Sequence, residues 1–410
     1  MVTISACILC SPSLSRDACC VRGGETMRIG LLVDVYKPHV SGVTNFVCQH
    51  KEALEAQGHA VFVFTLGNLD YEDEEPRIIR SPAIPLSDTG YYLNFSFSRM
   101  ARNKCKTMDV LHVHHPFITG RIAIRYGKRY GIPVVYTNHT RYDLYAHHYL
   151  PLLPEALTQT FLEAYLPFFT SQCDLVIAPS KGLYDVLRSY GVTSRIEIVP
   201  NGIDLEPFQN PRTRHTRAEL GLPESARVMI YVGRIAPEKD LAFLLRAFAV
   251  VSQELPETYL VLVGDGPEVD NLKDQAQKSG IGEKVIFTGC VEYEDVPGYL
   301  IMADAFVTAS VTEVHPLSVI EAMAVGLPVL GIESPGVGNT VIDGVNGLLT
   351  QHDLAEFSLK MYRLMSENDL RARLAKRALK DSEQYSILNT SKRILGFYEE
   401  LVAKYRERRE

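Results

Sequence analysis

Short apolar runs alternate with longer amphipathic stretches along nearly the whole chain, and the two periods predict two kinds of element. Successive apolar positions suit strands covered on both faces, whereas apolar residues recurring every three to four positions suit helices buried on one side. In the first half the runs predict strands at 28–35, 60–66, 110–113, 133–137, 175–178 and 195–199. Helices are predicted between them at 43–57, 120–130, 155–169 and 181–190. Strands alternating with helices in this way imply an α/β fold with parallel sheets.

The series then restarts. Pro200-Asn201-Gly202 is a turn signal, and the polar, basic stretch 207–216 with its two prolines reads as a linker. Beyond it, strands are predicted at 228–232, 259–263, 285–288, 305–309 and 328–332, with helices at 241–255, 269–279, 316–325 and 354–383. The expected domains are 27–203 and 204–385. They are followed by a C-terminal helix within 386–410 that can pack on either half, including back on the first. Length supports two domains, because 410 residues exceed one ordinary core. Ligands of doubly wound sheets bind at the carboxyl ends of the strands, so a cleft between two such edges is the expected site.

Composition narrows the class. The net charge of −7 over this length argues against a general nucleic-acid binder, and no apolar run is long enough to span a bilayer. Cys48, Cys105, Cys173 and Cys290 are scattered, as reduced thiols of a cytosolic protein are. Cys7, Cys10, Cys19 and Cys20 all precede Met27. Adjacent Cys19 and Cys20 are poor metal-ligand spacing, and no basic residue precedes the apolar piece 4–10 as in a signal peptide. Residues 1–26 are therefore expected to be a disordered leader, with the fold beginning at the strand M-R-I-G-L-L-V-D-V.

Four segments carry candidate chemistry. In E-V-H-P-L-S-V-I-E, Glu313 and Glu321 flank a His-Pro that reads as a helix start, with Pro316 at the first helical position. The N–H groups of Leu317 and Ser318 would then form an anion site, although two solvated glutamates at a helix end fit the same letters. Arg234 and Lys239 follow a strand and can together neutralise a diphosphate. Ser41-Gly42-Val43-Thr44 opens a helix after the first strand, where Gly42 permits close approach of a ligand or simply sits in a cap. His139, in T-N-H-T-R after a buried strand, can bond a sugar hydroxyl or be structural. His112 and His114 share a strand face and could hold a metal with Asp143, His147 and His148, but no D-x-D is present and a metal-free site is the expectation.

Together these segments resemble the retaining glycosyltransferases related to glycogen synthase (glycosyl transferases group 1), over nearly the whole chain from Met27. M-R-I-G-L-L-V-D-V-Y-K-P-H-V-S-G-V-T, Y-T-N-H-T-R-Y-D-L-Y-A-H-H-Y and E-S-P-G-V-G-N-T-V are similar to bacterial diacylglycerol glucosyltransferases and related lipid glycosyltransferases. The resemblance implies the GT-B fold, two Rossmann-like doubly wound parallel-sheet domains facing across a cleft. It implies that Glu321 contacts the donor ribose and that Glu313 and His139 lie near the donor sugar. Arg234 and Lys239 would hold the diphosphate, with Gly42 beneath it, and the base would lie near Val291. Where many members have Gly-Gly followed by Pro-Glu, this chain has Pro335-Gly336-Val337-Gly338-Asn339-Thr340, so the donor sugar is left open.

The expected activity is transfer of a hexosyl group with retention, without metal or other cofactor, from a UDP-sugar in preference to a GDP-sugar. The acceptor hydroxyl would belong to diacylglycerol or another membrane lipid. Tyr91, Tyr92, Phe95 and Phe97 beside Arg99, Arg102, Lys104 and Lys106, with Arg121, Arg125, Lys128 and Arg129, suit an anionic membrane surface. They suit an ordinary surface helix with core-facing aromatics equally. A cytoplasmic protein, peripheral on the inner face of the membrane, is the matching location. The alternatives are a soluble sugar or metabolite as acceptor, a nucleotide-sugar epimerase of the same fold, and an inactive sugar-nucleotide binding module.

Overall fold

Strands that read as continuous apolar runs pair in parallel and are covered on both faces, which is why nearly every one is buried along its length. The computed structural model of the chain describes residues 25–39, 41–85, 92–93, 96–142 and 155–408. Residues 1–24 of the expected leader, Tyr91 and Phe95 of the membrane reading, and Asp143, His147 and His148 of the metal reading lie outside the described residues. The described residues fall into two compact units: those from 25 to 202 together with 387–408 form unit 1, and Ile203–Ser386 form unit 2.

Unit 1 is built on β1 (Arg28–Leu32), β2 (Ala60–Leu66), β3 (Ile78–Ser81), β6 (Val110–Val113), β7 (Val134–Thr137), β8 (Leu175–Ala178) and β9 (Ile196–Ile198). A separate small hairpin pairs β4 (Ile84–Pro85) with β5 (Tyr92–Leu93). The main sheet runs β3-β2-β1-β6-β7-β8-β9, all parallel, so its order reverses between β1 and β6. Helices α1 (Gly42–Ala56), α2 (Arg99–Cys105), α3 (Ile118–Tyr130), α4 (Glu155–Thr170) and α5 (Lys181–Ser189) connect the strands.

Unit 2 repeats the plan with β10 (Arg227–Val232), β11 (Thr258–Val263), β12 (Val285–Gly289), β13 (Ala305–Thr308), β14 (Val329–Ile332) and β15 (Gly347–Thr350). Its order is β12-β11-β10-β13-β14-β15, with the reversal between β10 and β13. Its helices are α6 (Glu206–Gln209), α7 (Leu241–Glu254), α8 (Val269–Lys278), α9 (Val296–Ile301), α10 (Leu317–Ala324), α11 (Val337–Thr340), α12 (Leu354–Ser366) and α13 (Asn368–Ser382). The last helix, α14 (Ile387–Glu407), belongs to unit 1, where Ile394, Tyr398 and Leu401 join the core formed by β1, β2 and α1.

Three expectations change. The stretch 207–216 is not a free linker: the chain enters unit 2 at Ile203, and Phe208 is buried in that unit's core. The helix expected over 354–383 is two helices, broken at an extended Glu367. That break lets Met361, Leu364 and Met365 of α12 and Leu374 of α13 enter one core. Edge strands β3 and β15 were not foreseen; I-I-R-S and G-L-L-T are too short to carry a period.

Candidate active site

In unit 2 the reversal of strand order places the loops after β10 and β13 side by side, the position at which doubly wound sheets bind ligands. The β10 loop leaves the sheet at Gly233, whose carbonyl is crowded by Gly264 (φ +135°): a Cβ on Gly264 would stand 2.0 Å from that oxygen. Tyr231 donates its hydroxyl hydrogen to the Arg234 carbonyl at 3.1 Å. A short turn, Pro237–Lys239, then ends at Asp240, left-handed at φ +46°, whose side chain caps α7 through the Phe243 N–H. His352 fastens the same carboxylate, Nε2 to Oδ2, at 2.7 Å.

That turn sets the two basic residues on different partners. Arg234 is over half exposed and is ion-paired with Glu238. Lys239 is largely covered and its ammonium lies 2.5 Å from Oε1 of Glu313 on the β13 loop. Ser310 and Thr312 on the β13 loop direct their hydroxyls at the Glu238 carbonyl, at 3.5 and 3.4 Å, and so tie the loops together. The Glu313 segment is closed in from behind by α11: a Cβ on Gly336 would lie 2.3 Å from the Glu313 carbonyl oxygen.

Helix α10 starts four residues after Glu313. Pro316 stands at the N-cap rather than at the first helical position, and no side chain caps the end. The first helical bond is from the Ile320 N–H to the Pro316 carbonyl at 3.4 Å, leaving the N–H groups of Leu317 and Ser318 ahead of it. Such an end favours an anion. Inside the helix Glu321 is buried, and burial pushes its carboxyl up to about 7, opposed by the hydroxyl of Tyr293, which donates to Oε1 at 2.9 Å. Tyr293 is a partner that sequence reading missed; its one signal is that it stands two residues from Val291. Val291 itself follows β12 and packs, half-buried, on the same core as Tyr293.

In unit 1, Gly42 is the exposed first residue of α1, capped by Ser41, whose Oγ accepts from the Thr44 N–H at 3.2 Å. His139 follows β7 and is one of a group of histidines that the fold assembles from β6, the end of β7 and helix α1, with α14 supplying Tyr398 and Ser391. His114 Nδ1 lies 2.9 Å from His139 Nε2, and the rings of His112 and His114 are 4.3 Å apart. His112 bridges Thr137 (2.7 Å) and the Tyr398 hydroxyl (2.5 Å). His50 bridges Tyr398 (3.2 Å) and Ser391 (2.7 Å). Burial lowers every one of these imidazoles, His50 and His139 to about 3, so all four are neutral near pH 7. Beside them the Asp34 carboxylate accepts from the N–H and hydroxyl of Thr119, at 2.8 and 2.6 Å. Among the described residues no group of His, Cys, Asp and Glu has the arrangement of a metal site.

The aromatics of the membrane reading divide. Phe97 is in the core, stacked on Phe64 with centroids 5.7 Å apart, so of the two readings it takes the core-facing one. Lys104 lies over the Phe62 ring, 4.3 Å from its centre. Arg99, Arg102 and Lys106 of α2 and Arg121, Arg125, Lys128 and Arg129 of α3 are exposed, as are Met100 and the α4 residues Phe161 and Phe168. Among the described residues no helix is long and apolar enough to cross a membrane.

A family model described as "Glycosyl transferases group 1" matches residues 213–381, and one described as "Glycosyltransferase Family 4" matches 40–207. The chain is 34% identical over 387 residues to an alpha-monoglucosyldiacylglycerol synthase of Streptococcus pneumoniae, covering 91% of this chain and 85% of the relative. It is also 34% identical over 340 residues to the synthase of the same name from Acholeplasma laidlawii, covering 78% and 84%. Among solved structures, Anabaena HepE in complex with UDP and glucose matches with a TM-score of 0.73 at 19% identity, over 91% of this chain and all of that one. That likeness speaks for the fold alone: two parallel-sheet α/β units of the GT-B glycosyltransferase kind.

Proposed function

We propose that this chain, which belongs to the glycosyl transferases group 1 family, moves a hexosyl group from a nucleotide sugar to a membrane-lipid hydroxyl, with diacylglycerol the favoured acceptor. The observation that carries the reading is in unit 2. A mostly covered Lys239–Glu313 pair and an uncapped helix end come from the two loops and one helix at the switch point, and Tyr293, from the loop after β12, joins Glu321 of that helix. Charge for a diphosphate and a hydroxyl-binding carboxylate are thereby within one unit.

In this reading the diphosphate of a UDP-hexose, preferred to a GDP-hexose, lies against Lys239, Arg234 and the N–H groups of Leu317 and Ser318. Charge grows on it as the glycosidic bond breaks, and fixed donors aimed at that charge are a large source of rate. Glu321 takes the ribose hydroxyls, and the base lies near Val291. Gly42 and His139 of unit 1 serve the diphosphate and the sugar. The configuration is retained by attack from the leaving-group side, the phosphate taking the acceptor proton, and no metal or other cofactor is needed. Support for a lipid acceptor comes from the names of the two synthases and from the exposed basic faces of α2 and α3 with Met100. Such a surface suits peripheral attachment to an anionic membrane from the cytoplasmic side.

The test is a transfer assay with the purified full chain, radiolabelled UDP-glucose or GDP-mannose, and EDTA. Acceptors are anionic vesicles containing diacylglycerol or, separately, a pool of soluble sugars. An α-linked glycolipid formed from UDP-glucose is expected. A β-linked product would overturn retention, a requirement for added divalent metal would overturn metal independence, and product only in the soluble pool would replace the acceptor.

A further inference from the structure

Two imidazoles of unit 1 meet nitrogen to nitrogen. His114 is wholly buried at the end of β6, and its Nδ1 lies 2.9 Å from Nε2 of His139. The rings are stacked, with centroids 5.2 Å apart and planes 25° from parallel. Phe46 of α1 supports both, its ring centre 6.0 Å from that of His114 and 5.1 Å from that of His139. Because both rings are neutral, each carries one N–H, and the contact between them holds one proton.

Only two arrangements satisfy that bond. Either His114 donates from Nδ1, and His139 keeps its own proton on Nδ1. Or His139 donates from Nε2, and His114 must carry its proton on its own Nε2. That second nitrogen of His114 is buried with no hydrogen-bond partner. The second arrangement would therefore leave a buried N–H unpaired, whereas the first leaves a bare acceptor. An orphaned buried N–H is the rarer fault in folded proteins.

We infer that His114 is a positioning residue that donates to His139 and fixes it as the Nδ1–H tautomer, so that His139 offers its ligand a hydrogen-bond donor. The inference rests on the proposal that His139 meets the donor sugar. Its consequence there is specific. His139 binds a sugar oxygen through Nδ1–H and has no bare outward nitrogen with which to take the proton of the acceptor hydroxyl. That proton goes to the leaving phosphate.

The test reads the tautomer directly. The full chain is labelled with 15N in histidine, and two-bond proton–nitrogen correlations are recorded at neutral pH, with His139→Gln assigning the ring. His139 is expected to be protonated on Nδ1, with Nε2 accepting. His114→Phe should populate the Nε2–H form of His139, whereas His114→Asn, whose amide nitrogen stands near the lost Nδ1, should keep Nδ1–H. In transfer assays His114→Phe should lower kcat about tenfold with donor KM within about twofold, and His114→Asn should restore most of the rate. Protonation of wild-type His139 on Nε2, or an unchanged His139 spectrum in His114→Phe, would overturn the inference. If the chain transfers no sugar, the functional reading fails while the tautomer measurement still decides this one.

Discussion

The ammonium of Lys239 is held 2.5 Å from the carboxylate of Glu313, 74 residues further along the chain. The contact exists because β10 and β13 are neighbours where the strand order reverses, so the loops leaving their carboxyl ends meet. Both side chains are mostly covered, 16% and 22% exposed, so the contact holds the cation in place and removing either partner strands the other.

Lys239→Ala should therefore lower stability measurably, because it strands the covered Glu313 carboxylate, and lower kcat about a hundredfold, the usual scale for losing one fixed donor to a leaving group. Arg234→Ala should cost less, because its guanidinium is 55% exposed and is screened by water. Initial rates with the productive donor and acceptor, beside a urea melt, separate the two effects. Wild-type turnover in Lys239→Ala would remove this lysine from the leaving-group site.

Glu321 makes unit 2 sensitive to pH in an uncommon direction. Its carboxyl is raised to about 7 by burial, while in the unfolded chain it titrates near 4.5. Between those values the folded form holds a proton that the unfolded form has released, so stability falls as pH rises from about 4.5 through 7. The full loss is about 3 kcal/mol and is absent below the lower value. The difference in stability between wild type and Glu321→Gln, from denaturant melts across this range, should carry that slope. Equal slopes would mean that the carboxylate is solvated in the folded chain.

The histidines of unit 1 act in the opposite sense and outnumber Glu52 of α1, whose carboxyl burial raises to about 7. His50, His112, His114, His115 and His139 all have imidazoles depressed by burial, two of them to about 3. Below about pH 6.5 the unfolded chain takes up protons that the folded unit refuses, so stability falls as pH drops, by about 1.4 kcal/mol per histidine per pH unit. Hydrogen exchange at pH 5 should therefore show β1, β6 and β7 losing protection before β10 and β13. Tyr398→Phe tests the same network at neutral pH. It leaves His50 Nε2 and His112 Nδ1 without their shared hydroxyl, and about 2 kcal/mol of stability should be lost. Uniform loss of protection across both units at pH 5 would contradict the histidine account.

How much of this was legible in the letters follows from the range of each interaction. A strand such as Ala60–Leu66 is seven residues of near-continuous burial, and its apolar run declares it. Edge strand Ile78–Ser81 buries only alternate residues and leaves too few to show a period. The Ser41 cap and the uncapped start of α10 are local, so they too can be read from neighbouring residues. Glu321 could be named from its segment, but Tyr293, which lowers the cost of burying it, lies on a different loop. His112 and His114 share a strand face by simple alternation. Nothing local, however, connects them to His50, His139 or Tyr398, which come from α1, the β7 loop and the last helix. Contacts set by strand order are invisible until the order is known.

Gly336 offers a test that needs no charged or catalytic group. Its backbone is at φ −93°, which any residue can adopt, so an added methyl is opposed by space alone. That methyl would stand 2.3 Å from the Glu313 carbonyl oxygen and 2.5 Å from its carbon, a backbone obstacle that cannot rotate away. Gly336→Ala must displace either α11 or the Glu313 segment and with it the partner of Lys239. Gly338, two residues on, meets nothing nearer than Glu333 Cγ at 3.5 Å, so Gly338→Ala is the matched control. The expected result is a melting temperature lowered by several degrees and at least a tenfold (~1.4 kcal/mol) loss of kcat/KM in Gly336→Ala, with Gly338→Ala near wild type. Melting curves and transfer rates check it. Equal behaviour of the two variants would show that the Glu313 loop yields without cost and that its position is not set by α11.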